Sequence, residues 1–200
     1  AVREFLGGWR EAGAPLDFFS YHQYSDKPEK IAASPREARR LLDEYGFEVC
    51  EVHLSEWHYH PGWGSDCDVA RERFLHREMT GPHSAAYIVA TLLRWQDEPI
   101  DMAHYYTGST GRGYALFDDY GEPYCGYYAF DFFQRLARQK RIAAGSDHPG
   151  VTVATGESGD GIRVLAACCK TEQNELAFEF ADRVLQPERC RVALIDIDGV

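Results

Sequence analysis

The chain has 200 residues and a formal charge of −11, with 32 acidic against 21 basic side chains. That balance argues against nucleic acid as a partner, because such binding rests on neutralising phosphates with Lys and Arg. Hydrophobic residues at 44% and charged residues at 26% fit a globular core-forming protein rather than a disordered one. No apolar run approaches the roughly 20 residues that span a bilayer, which argues against a membrane partner as well.

Residues 16–24 read Leu-Asp-Phe-Phe-Ser-Tyr-His-Gln-Tyr, short and rich in aromatics, which predicts a buried strand. Ser34-Pro35-Arg36-Glu37 then reads as a capping box with proline at the first helical position. Ala38, Leu41, Leu42 and Tyr45 make one helical stripe, and Gly46 is placed to end that helix. Residues 49–55 predict a second strand running into Glu56-Trp57-His58-Tyr59-His60. An irregular stretch containing Pro61, Gly62, Gly64 and Gly81-Pro82 follows. The helix expected next, near 84–96, is apolar almost all round, so it should be covered on every side. Residues 100–106 predict a third strand and 125–140 a third helix, with Tyr127, Phe130, Phe133 and Leu136 along one side.

Strand and helix alternate to this point, which implies parallel strands joined by right-handed crossovers. After about residue 145 the style changes. Segments 150–155, 161–169, 175–180 and 191–197 read as consecutive strands separated by turn-rich sequence. Residues 1–145 are therefore expected to form an α/β part and 146–200 an antiparallel β part. Three βα units are too few to close a barrel, which takes eight strands and typically about 250 residues. With Ala1 in place of an initiator Met and the chain stopping just after a strand-like run, the expectation is a piece of a larger barrel.

The six cysteines, at 50, 67, 125, 168, 169 and 190, show no C-x2-C spacing. They are expected to behave as small buried hydrophobes in a reducing compartment, which favours the cytoplasm, although the start at Ala1 leaves secretion open.

In a parallel barrel the C-terminal ends of the strands form the active face. Those ends carry His22 and Tyr24, then Glu56 and Trp57, then His104, Tyr105 and Tyr106. A carboxylate among rings and imidazoles suits a sugar, whose C–H face stacks on aromatics while its hydroxyls meet His and Tyr heads. Such a carboxylate can attack an anomeric carbon and divide one hard step into two easier ones. Trp63, in a Pro-Gly-Trp-Gly loop, either lines the pocket or pins the loop.

The segments Ser-Tyr-His-Gln-Tyr (20–24), Leu-Ser-Glu-Trp (54–57) and Gly-Glu-Pro-Tyr-Cys-Gly-Tyr-Tyr-Ala-Phe (121–130) resemble glycoside hydrolase family 39, the family of β-xylosidases and α-L-iduronidases. The resemblance implies a retaining glycosidase of (β/α)8 TIM-barrel fold, with these strands as barrel strands 6–8 and residues 146–200 as part of an antiparallel β-sandwich. It implies Glu56 as nucleophile, His22 and Tyr24 as substrate-binding residues, and Trp57, Tyr105 and Tyr106 as walls or floor. Tyr106 stands where the clan often has tryptophan, and the acidic residues some members carry after strand 8 have no counterpart in 107–113. The acid/base glutamate of an Asn-Glu motif after strand 4 would precede this segment, leaving the segment by itself nearly inert. A carbohydrate is the implied partner, and no organic cofactor or metal is implied.

Two other classes fit the same residues. A metal-dependent barrel hydrolase would use His53, Glu56, His58 and His60, although His53 and Glu56, three apart, would face opposite sides of a regular strand. A non-catalytic carbohydrate-binding barrel would keep the aromatic cleft without turnover.

Overall fold

The computed structural model describes residues 1–64, 68–169, 171, 175–180 and 190–195. Helix α1 (Val2–Glu11) leads into strand β1 (Phe18–Ser25), which pairs in parallel with β2 (Glu51–Tyr59); β2 in turn pairs in parallel with β3 (Met102–Tyr105). The middle strand sends Val52, Leu54, Trp57 and Tyr59 toward the helices, all at 5% exposure or less. Two even positions followed by two odd ones cannot come from a regular strand. The register explains the change: Tyr21 pairs with Leu54 and His22 with Glu56, so Ser55 is an extra, bulged residue. Its hydroxyl bonds the Tyr21 carbonyl at 3.2 Å instead of joining the ladder.

Helix α2 (Pro28–Glu44) connects β1 to β2 and starts before the expected capping box, with Pro28 in its first turn and Pro35 in its interior. Proline has no N–H to donate to the carbonyl four residues back, that of Ile31. The Ser34 hydroxyl fills this place, bonding Ile31 O at 2.9 Å, and the Tyr21 hydroxyl donates to Ser34 Oγ at 2.9 Å. Ser34 is thus a repair in mid-helix rather than a cap. Ser34→Ala is expected to cost about 1–2 kcal/mol in urea unfolding, because a buried carbonyl and a phenol both lose a partner. Pro35→Ala restores the missing N–H and should make the Ser34 change cheaper. The C-terminus is as expected: Gly46, at φ +79°, donates to Asp43 O and Phe47 to Leu42 O, a Schellman end. Ala38 and Leu42 bury against Leu6, Cys50 and Val52, with Leu41 and Tyr45 packed on the rim.

The stretch expected to be irregular contains a helix, α3 (Val69–Thr80), whose first turn is capped by the Asp68 carboxylate on Arg71 N at 2.7 Å. It buries only Met79 and Thr80, so it carries no apolar stripe to betray it. Helix α4 (Pro82–Trp95) is covered along nearly its whole surface, as its composition demands, with His83 in its first turn left exposed. Helix α5 (Cys125–Gln134) packs on it through Gly126, where a Cβ would stand 3.2 Å from Ile88 and 3.1 Å from Leu116. This helix stops before the expected residue 140, since Arg138 takes a positive φ and residues from Lys140 enter a sheet.

That second sheet is antiparallel: β4 (Lys140–Ile142), β5 (Val151–Ser158) and β6 (Gly161–Cys168), the last two joined by a tight Gly159-Asp160 turn. Leu165 and Ala167 close over α4 from the side opposite the parallel sheet, so one core runs from sheet to sheet. Residues 175–180 and 191–195, expected as strands, are not in any ladder, and residues 196 and 197 lie outside the described residues. Alternation encodes which face of a strand is apolar, not that an edge stands ready to pair. Leu176 and Phe178 are accordingly 42% and 51% exposed. Among the described residues no helix is long and apolar enough to cross a membrane.

Candidate active site

The bulge at Ser55 decides where Glu56 points. Continued alternation from Val52 and Leu54 would turn Glu56 into the helical layer; the extra residue turns it to the open face, beside its register partner His22. There Oε2 lies 2.8 Å from His22 Nδ1, and Oε1 accepts a hydrogen bond from the Tyr24 hydroxyl. A carboxylate only accepts, so both partners donate, and lone pairs remain for a third group. The Glu56 side chain is 23% exposed and that of His22 58%, which leaves the pair reachable from solvent. Burial, and then the hydrogen bond to Glu56, push the Tyr24 phenol well above its ordinary range, so it stays a donor at any physiological pH.

Above this pair stands a frame of rings. Tyr114 lies 5.6 Å from Tyr24, 5.2 Å from His58 and 5.7 Å from Tyr106, centroid to centroid. The sequence offered no pattern for Tyr114, because it reaches the site by a return of the 107–116 loop. Thr107 N donates to Tyr114 O at 2.7 Å, Leu116 N donates to Thr107 O at 3.1 Å, and Gly113 N leans on His76 Nδ1 at 3.4 Å. Tyr106 is 45% exposed at the rim. Trp63 stacks on His60 at 3.9 Å and meets Tyr24 edge-on at 6.1 Å.

Two expected wall residues are elsewhere. Trp57 is 1% exposed and packs against Trp95, Tyr105 and Phe130 in the core. Tyr105 sits in the same cluster, between Trp57, His58 and Phe130. Both fall on the helix-facing side of their strands, where they are register partners, so neither ring is presented to the open face.

The alternative metal set is also dispersed. The bulge does bring His53 and Glu56 to one face, contrary to expectation. His53, however, stacks on Phe18 at 4.9 Å and bonds Glu51 at 2.8 Å, toward the other end of the strand. His58 is fully buried, its Nδ1–H donating to the Tyr59 carbonyl at 2.5 Å, and burial depresses its pKa to about 4. Among the described residues no group of three His, Cys, Asp or Glu is arranged to hold a metal ion.

A cleft of about 300 Å³ opens at the opposite end of the parallel sheet, lined in part by Arg39, Cys50 and Asp101. Two of its polar groups serve the chain itself. Arg39 donates to the Cys50 and Phe47 carbonyls, and Asp101 accepts from Val52 N at 2.8 Å.

No protein-family model matches the chain, and no curated protein matches it. Solved structures do. A glucosidase from Croceicoccus marinus is similar at 26% identity and a TM-score of 0.65, over 82% of this chain and 35% of that one. A GH39 β-xylosidase from Caulobacter crescentus is similar at 19% identity and a TM-score of 0.59, over 82% and 35%. A monomeric β-xylosidase from Caulobacter crescentus CB15 gives 18% and 0.59, over 82% and 36%. The chain thus shares a mixed α/β fold, with a parallel and an antiparallel sheet, with about a third of the length of each of these glycosidases.

Proposed function

We propose that this chain carries the nucleophile side of a retaining glycoside hydrolase acting on a neutral O-glycoside, of β-xylosidase or β-glucosidase kind. On this reading, residues 1–145 carry strands 6–8 of a (β/α)8 barrel and 146–200 part of an appended β-sandwich, whose sheet also takes in β4 from the end of the first part. The observation that carries it is a carboxylate turned by a bulge to the C-terminal end of a parallel sheet. Two hydrogen-bond donors hold it under a canopy of aromatic rings, on a fold shared with glycosidases.

Glu56 attacks the anomeric carbon, while His22 and Tyr24 fix the carboxylate so that one oxygen meets C1 along a set direction. As the glycosyl ester forms, negative charge leaves the carboxylate and its two donors relax; they strengthen again as water releases the sugar. Tyr114 and Tyr106 offer faces to the ring. The leaving oxygen needs a proton from a second carboxyl about 5–5.5 Å from the first. His22 and Tyr24 are the groups bonded to Glu56, and neither is a carboxyl, so the reading assigns the acid/base to an earlier strand of the same barrel.

A 2-deoxy-2-fluoro β-glycoside with a dinitrophenolate leaving group tests this assignment. The fluorine destabilises the oxocarbenium-like transition state of both steps, whereas dinitrophenolate departs without needing a proton. A covalent adduct should accumulate, and peptide mass spectrometry should find the fluorosugar on Glu56. A label on a different carboxylate would reassign the nucleophile, and rapid turnover with no adduct would end the covalent mechanism.

A further inference from the structure

We propose that Trp63 is the platform of a second sugar subsite, stacking the pyranose on the leaving-group side of the scissile bond. This rests on reading Glu56 as the nucleophile. Trp63 is 74% exposed, although a large ring of this kind ordinarily buries most of its area. One face is already covered: the His60 ring lies against it at 3.9 Å with the planes 16° apart, and His60 itself is only 5% exposed. The other face is the one left to solvent. Trp63 also touches the phenol that holds the nucleophile, standing edge-on to Tyr24 at 6.1 Å. The platform therefore adjoins the first ring's site.

A ring that merely pinned the 61–64 loop would be buried in it. The loop is already fastened by other groups. The Arg71 guanidinium donates to the Gly62 carbonyl, and Gly62 N donates to His60 Nδ1 at 3.3 Å. Arg71 is itself fixed in the capped first turn of α3. The indole is thus a flat apolar surface on a held loop, with a buried imidazole behind it. Such a support leaves little side-chain entropy to lose on binding. The leaving-group side is assigned because that half of the substrate must escape while the first sugar stays on Glu56. The inner rings Tyr24 and Tyr114 are the more covered, and Trp63 stands toward solvent.

The test is calorimetric titration of the full-length protein carrying Glu56→Gln, which prevents turnover, with xylobiose and cellobiose against xylose and glucose. Adding Trp63→Ala should lower the disaccharide-to-monosaccharide affinity ratio at least about tenfold. Trp63→Leu keeps apolar bulk without a flat face and should show the same loss, while Trp63→Tyr should restore most of the ratio. An unchanged ratio in both Trp63→Ala and Trp63→Leu overturns the subsite and leaves the nucleophile reading standing. A ratio that falls while the Glu56→Gln protein still hydrolyses glycosides keeps the subsite and removes the nucleophile reading. If none of the four sugars binds, both are lost.

Discussion

Glu56→Gln in the full-length protein is expected to lower kcat/KM on an aryl glycoside by at least about 10⁴-fold, with unfolding unchanged within about 1 kcal/mol. The amide keeps the shape of the side chain, and its carbonyl oxygen still accepts from the Tyr24 hydroxyl, so the local fold has no reason to move. What is lost, on the proposed assignment, is the nucleophilic carboxylate. Glu56→Gly in the presence of azide gives the sharper result. A small anion entering the vacated space attacks from the carboxylate's face in a single displacement, so the glycosyl azide should have the anomeric configuration opposite to the substrate's. A product of the same configuration would mean that Glu56 is the acid/base instead, and wild-type-like hydrolysis by Glu56→Gln would remove it from the chemistry altogether.

The second large effect concerns acid stability. His58 is fully buried, and burial holds its pKa near 4, below the ordinary 6.5. Between those two values the unfolded chain binds a proton that the folded chain does not. Stability therefore falls as pH drops through about 6.5 and stops falling on this account below about 4. The loss amounts to on the order of 3 kcal/mol, at about 1.4 kcal/mol per unit of pKa difference. His60, also depressed by burial, acts in the same direction. Urea unfolding at pH 7 and pH 4.5 should show this drop, and in His58→Phe it should be smaller by most of that amount. Equal drops in the two proteins would mean that His58 accepts its proton without unfolding.

The parts of this molecule that sequence made readable are those where one local rule suffices. The apolar surround of α4, the Gly46 helix end and the existence of the aromatic strand β1 each follow from their own residues. Strand β1 is not the buried strand its rings suggested, since Phe18 is 53% exposed and only Ser25 is buried. The failures come where a residue's role is set across the fold. Ser34 and Pro35 look like a helix start, and only the Tyr21 hydroxyl across the layer shows that they mend a helix already under way. Helix α3 has a good cap at Asp68 but no stripe, because almost nothing covers it. At the site, strand-end position pointed to His22, Tyr24 and Glu56 as a group, and they do meet. It did not reveal which side each faces. The bulge at Ser55 sends Glu56 out and keeps Trp57 in, so adjacent residues of one motif part company. Tyr114 arrives through backbone pairing to Thr107, a long-range event with no local signature.

Helix α4 lies between two sheets of different kinds, with Ile88, Val89 and Leu93 in the same packed mass as Leu165 and Ala167. A change of topology near residue 140 is therefore not a place where the protein can bend. For the antiparallel layer to swing away, it would have to bring water onto the helix that also backs Trp57 and, through it, the strand bearing Glu56. The later strands thus act as a brace for the earlier ones, and loosening them would be felt first as a less steady carboxylate.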